Sequence, residues 1–219
     1  MATRNVFVAG GSGYVGRELI PRLLARGHRV RALVRPGSEA KLPAGSEAVI
    51  GNALDESSFA ESVRPSDTFV QLVGVPHPSP TKAAQFQSID LVSVKASVSA
   101  AVSAGIENFV YVSVAQPAPV MKAYQAVRSQ GEQLIRESGL RATILRPWYV
   151  LGPGHRWPYA LLPVYWLMEQ IPPFRETALR LGLVTLDQMV STLVSSVEAT
   201  PERIRILDVP AIREIGSRR

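Results

Sequence analysis

The sequence predicts an α/β fold in which helices cover both faces of a doubly wound parallel sheet. Short apolar runs alternate with longer amphipathic stretches, as expected for strands and helices that follow one another along the chain. The first apolar run, Val6–Ala9, leads into the glycine-rich turn Gly10–Gly16, and an amphipathic stretch follows the turn. The 219 residues suffice for one sizeable domain with a small appendage.

The elements follow from apolar periodicity and from the glycines that end helices at positions 27, 105 and 139. Strands are predicted at Asn5–Ala9, Arg29–Val34, Glu47–Ile50, Thr68–Val73, Asn108–Ser113, Arg141–Leu145, Leu181–Thr185 and Ile204–Val209. Helices are predicted at Tyr14–Arg26, Glu56–Val63, Ala83–Ala104, Ala123–Glu137 and Asp187–Ala199. The basic tail Gly216–Arg219 is expected to be frayed.

The first turn carries glycines spaced G-x-x-G-x-x-G. A strand that turns sharply into a helix needs residues free of Cβ constraints. The first N–H groups of the helix lack intrahelical partners, and the helix dipole favours an anion there, which suits a dinucleotide pyrophosphate. The strand before the turn and the helix after it are the context that such a site requires. A purely structural turn is the alternative. The predicted binding residues are Gly10, Ser12, Gly13, Tyr14, Val15 and Gly16.

Arg35 follows the second strand, where many NAD-binding sites carry an acidic residue about 20 positions past the glycines. After that strand, no acidic residue precedes Glu39. A carboxylate would repel a 2′-phosphate, whereas an arginine can hold it. The sequence therefore predicts NADP as the cofactor, with NAD the less favoured choice. In the alternative, Arg35 stacks near an adenine or points into solvent.

Composition excludes several other classes of protein. Because the chain has no cysteine, it has no disulfide, thiolate metal site or thiol catalyst, and this favours a cytoplasmic protein. The net charge is +6, but the basic residues are spread along the chain, so we expect no nucleic-acid partner. The three histidines lack ligand spacing, which argues against a metal site. No apolar run is long enough for a spanning membrane segment.

These motifs, in this order, resemble the extended and atypical short-chain dehydrogenases/reductases, especially their epimerase/dehydratase-like and nitrogen-metabolite-regulator-like groups. The matching pieces are the glycine turn, Ala32–Arg35, Gly51–Asn52, Gly105–Ser113 and Ser138–Pro147. The resemblance implies a Rossmann core over residues 1–155 that binds NAD(P). It also implies a small substrate-side region over residues 156–219 that packs on this core.

In that family, catalysis uses a tyrosine, a lysine four residues later, and a serine after the fifth strand. Tyr124 takes the place of the tyrosine, and Arg128 stands where the lysine is expected. Ser113 lies one position before the usual serine, which falls at Val114. An arginine keeps the positive charge but does not readily give up a proton. The alternatives are a packing role for Tyr124 and a pair between Arg128 and Glu132.

The resemblance implies further cofactor contacts outside the glycine turn. They comprise a pair near the adenine, a pair after the fourth strand and a group beside the nicotinamide. These residues are Asn52, Ala53, Val73, Gly74, Pro147, Tyr149 and Val150. In the alternative interpretation, Asn52 is a turn residue, and Tyr149 and Val150 belong to the sheet core.

Two functions remain open at this point. The first is an NADPH-dependent reductase of a small carbonyl compound, whose identity the sequence does not give. The second is a non-catalytic NADP(H)-binding redox sensor or accessory subunit. The apolar segment Trp157–Phe174 could line a substrate pocket, form an oligomer contact or touch a membrane surface. Either a monomer or a homodimer is expected, since the helix Ala83–Ala104 has a small-residue face.

Overall fold

A computed structural model describes residues 3–153, 162–199 and 201–218. Its strands are β1 (Asn5–Ala9), β2 (Arg29–Val34), β3 (Glu47–Ile50), β4 (Thr68–Gln71), β5 (Asn108–Val112), β6 (Ala142–Leu145), β7 (Tyr149–Leu151), β8 (Leu183–Thr185) and β9 (Ile204–Leu207). Within the described ranges, seven strands form one parallel sheet in the order β3-β2-β1-β4-β5-β6-β9. The predicted α/β class is confirmed.

The α-helices are α1 (Gly16–Ala25), α2 (Ala83–Gln85), α3 (Val92–Ala104), α4 (Lys122–Glu137), α5 (Leu162–Gln170), α6 (Pro172–Arg180), α7 (Leu186–Glu198) and α8 (Val209–Ser217). The structure differs from the prediction for one short helix and for part of the C-terminal tail. The stretch from residue 56 to 63 forms two 3₁₀ turns rather than one helix. Helix α8 was not predicted, and it includes Gly216 and Ser217 of the tail that was expected to be frayed, because Asp208 caps its N-terminus and Ile212 and Gly216 are buried.

Helices cover both faces of the sheet, and each face has its own apolar core. On one face, Phe69 stacks between Phe7 and Phe109, with ring centroids 5.1 and 5.3 Å apart, beneath α3 and α4. On the other face, leucines and valines of α1, α7 and α8 pack together. Burial of these two sets of side chains supplies the main stabilising free energy of the fold.

The predicted helix Ala83–Ala104 is interrupted. A π-helical turn, Phe86–Leu91, separates α2 from α3. The turn brings Phe86, Asp90 and Leu91 into the interior. Such turns are rare and occur frequently at functional sites. The apolar periodicity of the stretch predicted the helix but not the change of register within it.

The C-terminal part adds β9 beside β6, and β7 pairs with β8 in a second, two-stranded sheet. The predicted boundary at residue 155 and part of the Trp157–Phe174 segment lie outside the described residues, so that division remains a prediction. Helices α5 and α6 carry the rest of the segment, with Trp166 and Phe174 exposed. Among the helices of the described ranges, none has the length and apolar character of a membrane span.

Candidate cofactor site

The glycine turn brings the start of α1 against the end of β1. Gly10 adopts a left-handed conformation with φ of +89°, which a residue with a side chain rarely adopts. A Cβ on Gly16 would lie 2.5 Å from the carbonyl oxygen of Gly10, so only glycine allows this close approach. Helix α1 begins at Gly16, later than predicted, because the residues before it form the turn. Its N-terminus provides backbone N–H groups and a partial positive charge for a pyrophosphate.

A cleft of about 350 Å³ opens beside this turn. It lies at the carboxyl ends of the strands, where open α/β sheets bind ligands. The structure brings together in its lining eight of the predicted cofactor residues: Gly10, Ser12, Gly13, Arg35, Asn52, Ala53, Val73 and Gly74. The lining residues that were not predicted as cofactor contacts are Leu33, Val34, Gly51, Leu54, Leu72, Pro76 and Ile89. Most of them flank predicted positions at strand ends.

The part of the cleft formed after β2 and β3 combines apolar residues and glycine with two polar side chains, Arg35 and Asn52. Arg35 is exposed and lines the cleft. Among the described lining residues there is no carboxylate. Asn52 serves as a turn residue and a lining residue at once, since its side-chain oxygen accepts the N–H of Leu54 at 3.1 Å. Arg35 can donate charge-assisted hydrogen bonds to an anionic group here, and no carboxylate of the described lining would repel such a group.

The remaining predicted cofactor residues lie outside this lining. The phenolic oxygen of Tyr14 packs against Gly152, and a Cβ on Gly152 would overlap this oxygen. Pro147 accepts the backbone N–H of Ala115 at 2.9 Å through its carbonyl oxygen. Tyr149 and Val150 pair with β8 in the small sheet. Their contact with a nicotinamide therefore stays a prediction.

Arg128 is buried and engaged in several interactions. Its Nη2 donates to Asp90 Oδ1 at 2.6 Å, and its Nη1 donates to the carbonyl oxygen of Val112 at 2.9 Å. Its Cζ lies 5.1 Å from the ring centroid of Tyr124, a cation–π distance. The alternative pairing of Arg128 with Glu132 is wrong, since Arg128 pairs with Asp90 on the π turn.

Burial and the neighbouring polar groups together shift the pKa values in this cluster. It raises the pKa of Asp90, while the guanidinium of Arg128 opposes this shift. Burial alone would lower the pKa of Arg128, but Tyr124, Tyr111 and Asp90 outweigh that effect and raise it, so Arg128 stays charged. Burial also raises the pKa of Tyr111, whose hydroxyl lies 3.4 Å from Arg128 Nη1.

Of the three predicted catalytic residues, the structure brings Tyr124 and Arg128 together. Tyr124 lies in the first turn of α4, half-buried, with its ring centroid 4.9 Å from that of Phe86. Ser113 belongs to a different cluster, because its hydroxyl donates to Glu132 Oε1 at 2.7 Å.

Sequence reasoning missed Glu132 as the centre of a buried polar cluster. Its Oε1 also accepts from Gln116 Nε2 and Arg146 Nε, each at 2.9 Å. The i, i+4 spacing predicted that Glu132 pairs with Arg128, but in the structure Glu132 forms an ion pair with Arg146, which follows β6. The cluster joins α4 to the loops after β5 and β6.

The fold and the glycine-lined cleft define a dinucleotide-binding α/β protein of the Rossmann type. A family model described as NAD(P)H-binding matches residues 10–156, and the chain belongs to this family. In its fold the chain is similar, as expected, to a short-chain dehydrogenase/reductase superfamily protein from Agrobacterium tumefaciens, with a TM-score of 0.67 and 17% identity over 93% of this chain and 77% of the other.

The chain is also similar to individual curated proteins and, in its fold, to solved structures. A ketoreductase of Stigmatella aurantiaca that acts on a farnesylated dihydroquinoline oxide is 29% identical over 68% of this chain and 51% of its own. The photosystem II assembly factor Ycf39 of Cyanophora paradoxa is 29% identical over 65% of this chain and 44% of its own. The Bordetella bronchiseptica enzyme WbmH, crystallised with NAD⁺, shares the fold with a TM-score of 0.71 and 18% identity, over 98% of this chain and 80% of its own. This chain spans about half the length of the curated relatives it matches.

Proposed function

We propose that the protein is an NADPH-dependent reductase of a small carbonyl compound. The observation that carries the proposal is the position of Arg35 in the lining of the same cleft as the glycine turn. The described lining holds no carboxylate that would repel a 2′-phosphate. The likeness to a ketoreductase and to a structure crystallised with NAD⁺ supports a nicotinamide cofactor. The preference for NADPH rests on Arg35.

The residues around Tyr124 suit proton donation to a carbonyl oxygen. A bound reduced nicotinamide supplies a hydride to the carbonyl carbon. Tyr124 gives its hydroxyl proton to the carbonyl oxygen, so that the C=O group becomes an alcohol. Arg128 keeps a positive charge 5.1 Å from the tyrosine ring, which favours the phenolate left after proton transfer. Tyr124 then regains its proton from solvent.

Replacement of Arg35 tests the cofactor assignment. We expect Arg35→Ala to raise the dissociation constant of NADPH about 10- to 100-fold, because a charge-assisted contact to the 2′-phosphate is lost. NADH binding should change less than about twofold, since it lacks that phosphate. Arg29→Ala is the matched control, an exposed arginine at the opposite end of the same strand. Equal losses for NADPH and NADH would refute the role of Arg35.

Replacement of Tyr124 tests the chemistry separately. Tyr124→Phe keeps the ring that packs on Phe86 and removes only the hydroxyl. Turnover of a carbonyl panel should fall about 10²- to 10⁴-fold, the usual contribution of a general acid. NADPH binding should stay within about twofold of wild type. Unchanged turnover would remove Tyr124 from the mechanism.

A second function is favoured by the contacts of two predicted catalytic residues. Arg128 is held in a buried ion pair, and Ser113 donates to Glu132. A non-catalytic NADP(H)-binding sensor or accessory subunit needs the cleft but not these side chains. The likeness to an assembly factor supports this alternative. Tight NADPH binding without turnover of any tested carbonyl compound would favour it over the reductase.

A further inference from the structure

The loop after β4, Leu72–Pro76, forms one wall of the candidate cofactor cleft. Four of its residues line the cleft, and Gly74 lies in the middle of the loop. The N–H groups on both sides of Gly74 are bound by buried side chains. Val73 donates to Gln71 Oε1 at 3.0 Å, and Val75 donates to Asp90 Oδ2 at 3.0 Å. The wall is therefore held from the interior of the protein.

Asp90 is placed for this contact by the π turn. It is 1% exposed, and the preceding residue, Ile89, lines the cleft itself. Its two carboxylate oxygens bind different elements, Oδ2 the loop and Oδ1 the guanidinium of Arg128 on α4. A buried carboxylate needs such partners, because burial without them is costly.

The guanidinium of Arg128 lies directly behind Gly74. A Cβ on Gly74 would overlap Nη2 of Arg128, so the glycine leaves the space that the guanidinium occupies. Arg128 also donates to the carbonyl oxygen of Val112 at the end of β5. One side chain thus connects α4, β5 and the π turn beneath the wall of the cleft.

We propose that Asp90 and Arg128 form a positioning pair for the cofactor. The pair fixes the main chain of the loop 72–76 at the cleft, and Arg128 acts from behind Gly74 rather than by contact with the cofactor. This inference rests on the proposed function, because it requires that the cleft binds a nicotinamide dinucleotide.

Variants of the pair separate positioning from stability. Asp90→Asn keeps the side-chain shape but removes the negative charge, and its single amide oxygen can accept from Arg128 or from Val75 but not replace both carboxylate oxygens. The double variant Asp90→Leu/Arg128→Met replaces the ion pair by apolar groups, which often leaves stability unchanged or improved. Arg141→Met, an exposed arginine that precedes β6, is the control.

Two quantities are measured for each variant. The first is amide hydrogen exchange of residues 72–75 in the cofactor-free protein, and the second is the dissociation constant of NADPH. We expect Asp90→Asn and the double variant to speed exchange in this loop about tenfold or more and to weaken NADPH binding by a similar factor. The double variant should keep its midpoint of urea unfolding near that of wild type, and the control should match wild type throughout.

The outcomes distinguish this inference from the proposed function. Weak NADPH binding by a double variant of normal stability supports the positioning role. If that variant binds NADPH as wild type does, or if exchange in the loop is unchanged, the positioning role is overturned and the proposed function stands. If the wild-type protein binds no NADPH, the proposed function is overturned. The role of Asp90 and Arg128 in positioning the cofactor is then overturned as well.

Discussion

Replacement of Glu132 by alanine removes the acceptor at the centre of the buried cluster that joins α4 to the loops after β5 and β6. Glu132 is 2% exposed and accepts hydrogen bonds from Ser113, Gln116 and Arg146. The change leaves the hydroxyl of Ser113, itself 3% exposed, without its acceptor. It also removes the ion-pair partner of Arg146, whose side chain is 22% exposed.

The magnitude follows from these contacts. Removal of one partner of a buried ion pair costs about 3–5 kcal/mol, and an unsatisfied buried donor costs about 1–3 kcal/mol. The side chain of Arg146 is partly exposed, so water compensates part of its lost ion pair. We therefore expect the free energy of unfolding to fall by about 4 kcal/mol, the sum of the two lower limits. For a chain of this length, that loss lowers the melting temperature by roughly 8–16 °C.

Urea unfolding measures the loss, with Glu137→Ala as the matched control. Glu137 lies on the same helix but is exposed, and Gln133 donates to it at the surface. Its replacement should change the free energy of unfolding by less than about 0.5 kcal/mol. Equal stability of the two variants would refute the assignment of Glu132 as a buried anchor.

Two further predictions concern the glycine turn and a buried tyrosine. Gly16→Ala forces a Cβ to within 2.5 Å of the carbonyl oxygen of Gly10, so we expect a loss of about 1–3 kcal/mol in urea unfolding and weaker NADPH binding. If Gly16→Ala binds NADPH as tightly as wild type does, the cofactor site does not depend on the close approach of Gly16 to Gly10. Burial raises the pKa of Tyr111 in the folded protein. Above a pH of about 10, the Tyr111 hydroxyl therefore loses its proton in the unfolded chain before it does so in the folded protein. The free energy of unfolding then falls by up to about 1.4 kcal/mol per pH unit. In Tyr111→Phe, the free energy of unfolding should fall less steeply as the pH rises above about 10. If it falls equally steeply in the variant and in wild type, Tyr111 is not the source of the alkaline loss of stability.

Much of the fold was predictable because its signals are local. The strands β1, β2 and β3 have the predicted bounds, since each is a short apolar run bounded by turn residues. The cleft was predictable for a similar reason. Glycine spacing marks the first turn, and the strand order of this fold brings the residues that follow β2, β3 and β4 to the same edge.

The polar interior was not predictable from local patterns. Asp90 and Arg128 are 38 residues apart, and Asp90 lies on a π turn that the apolar pattern did not predict. The helix spacing of Arg128 and Glu132 favoured a surface pair, but both side chains are buried and bind partners on other elements. Gln71, a polar residue in the apolar strand β4, is a local signal of polar contacts in the interior, since it is buried and accepts the N–H of Val73.

The most direct test of the proposed function is a titration of the wild-type protein with NADPH and with NADH, followed by nicotinamide fluorescence. If the cleft holds a phosphorylated dinucleotide beside Arg35, NADPH should bind about tenfold or more tightly than NADH. Equal affinities would remove Arg35 from cofactor selection. No binding of either would contradict the central claim that this glycine-lined cleft is a cofactor site.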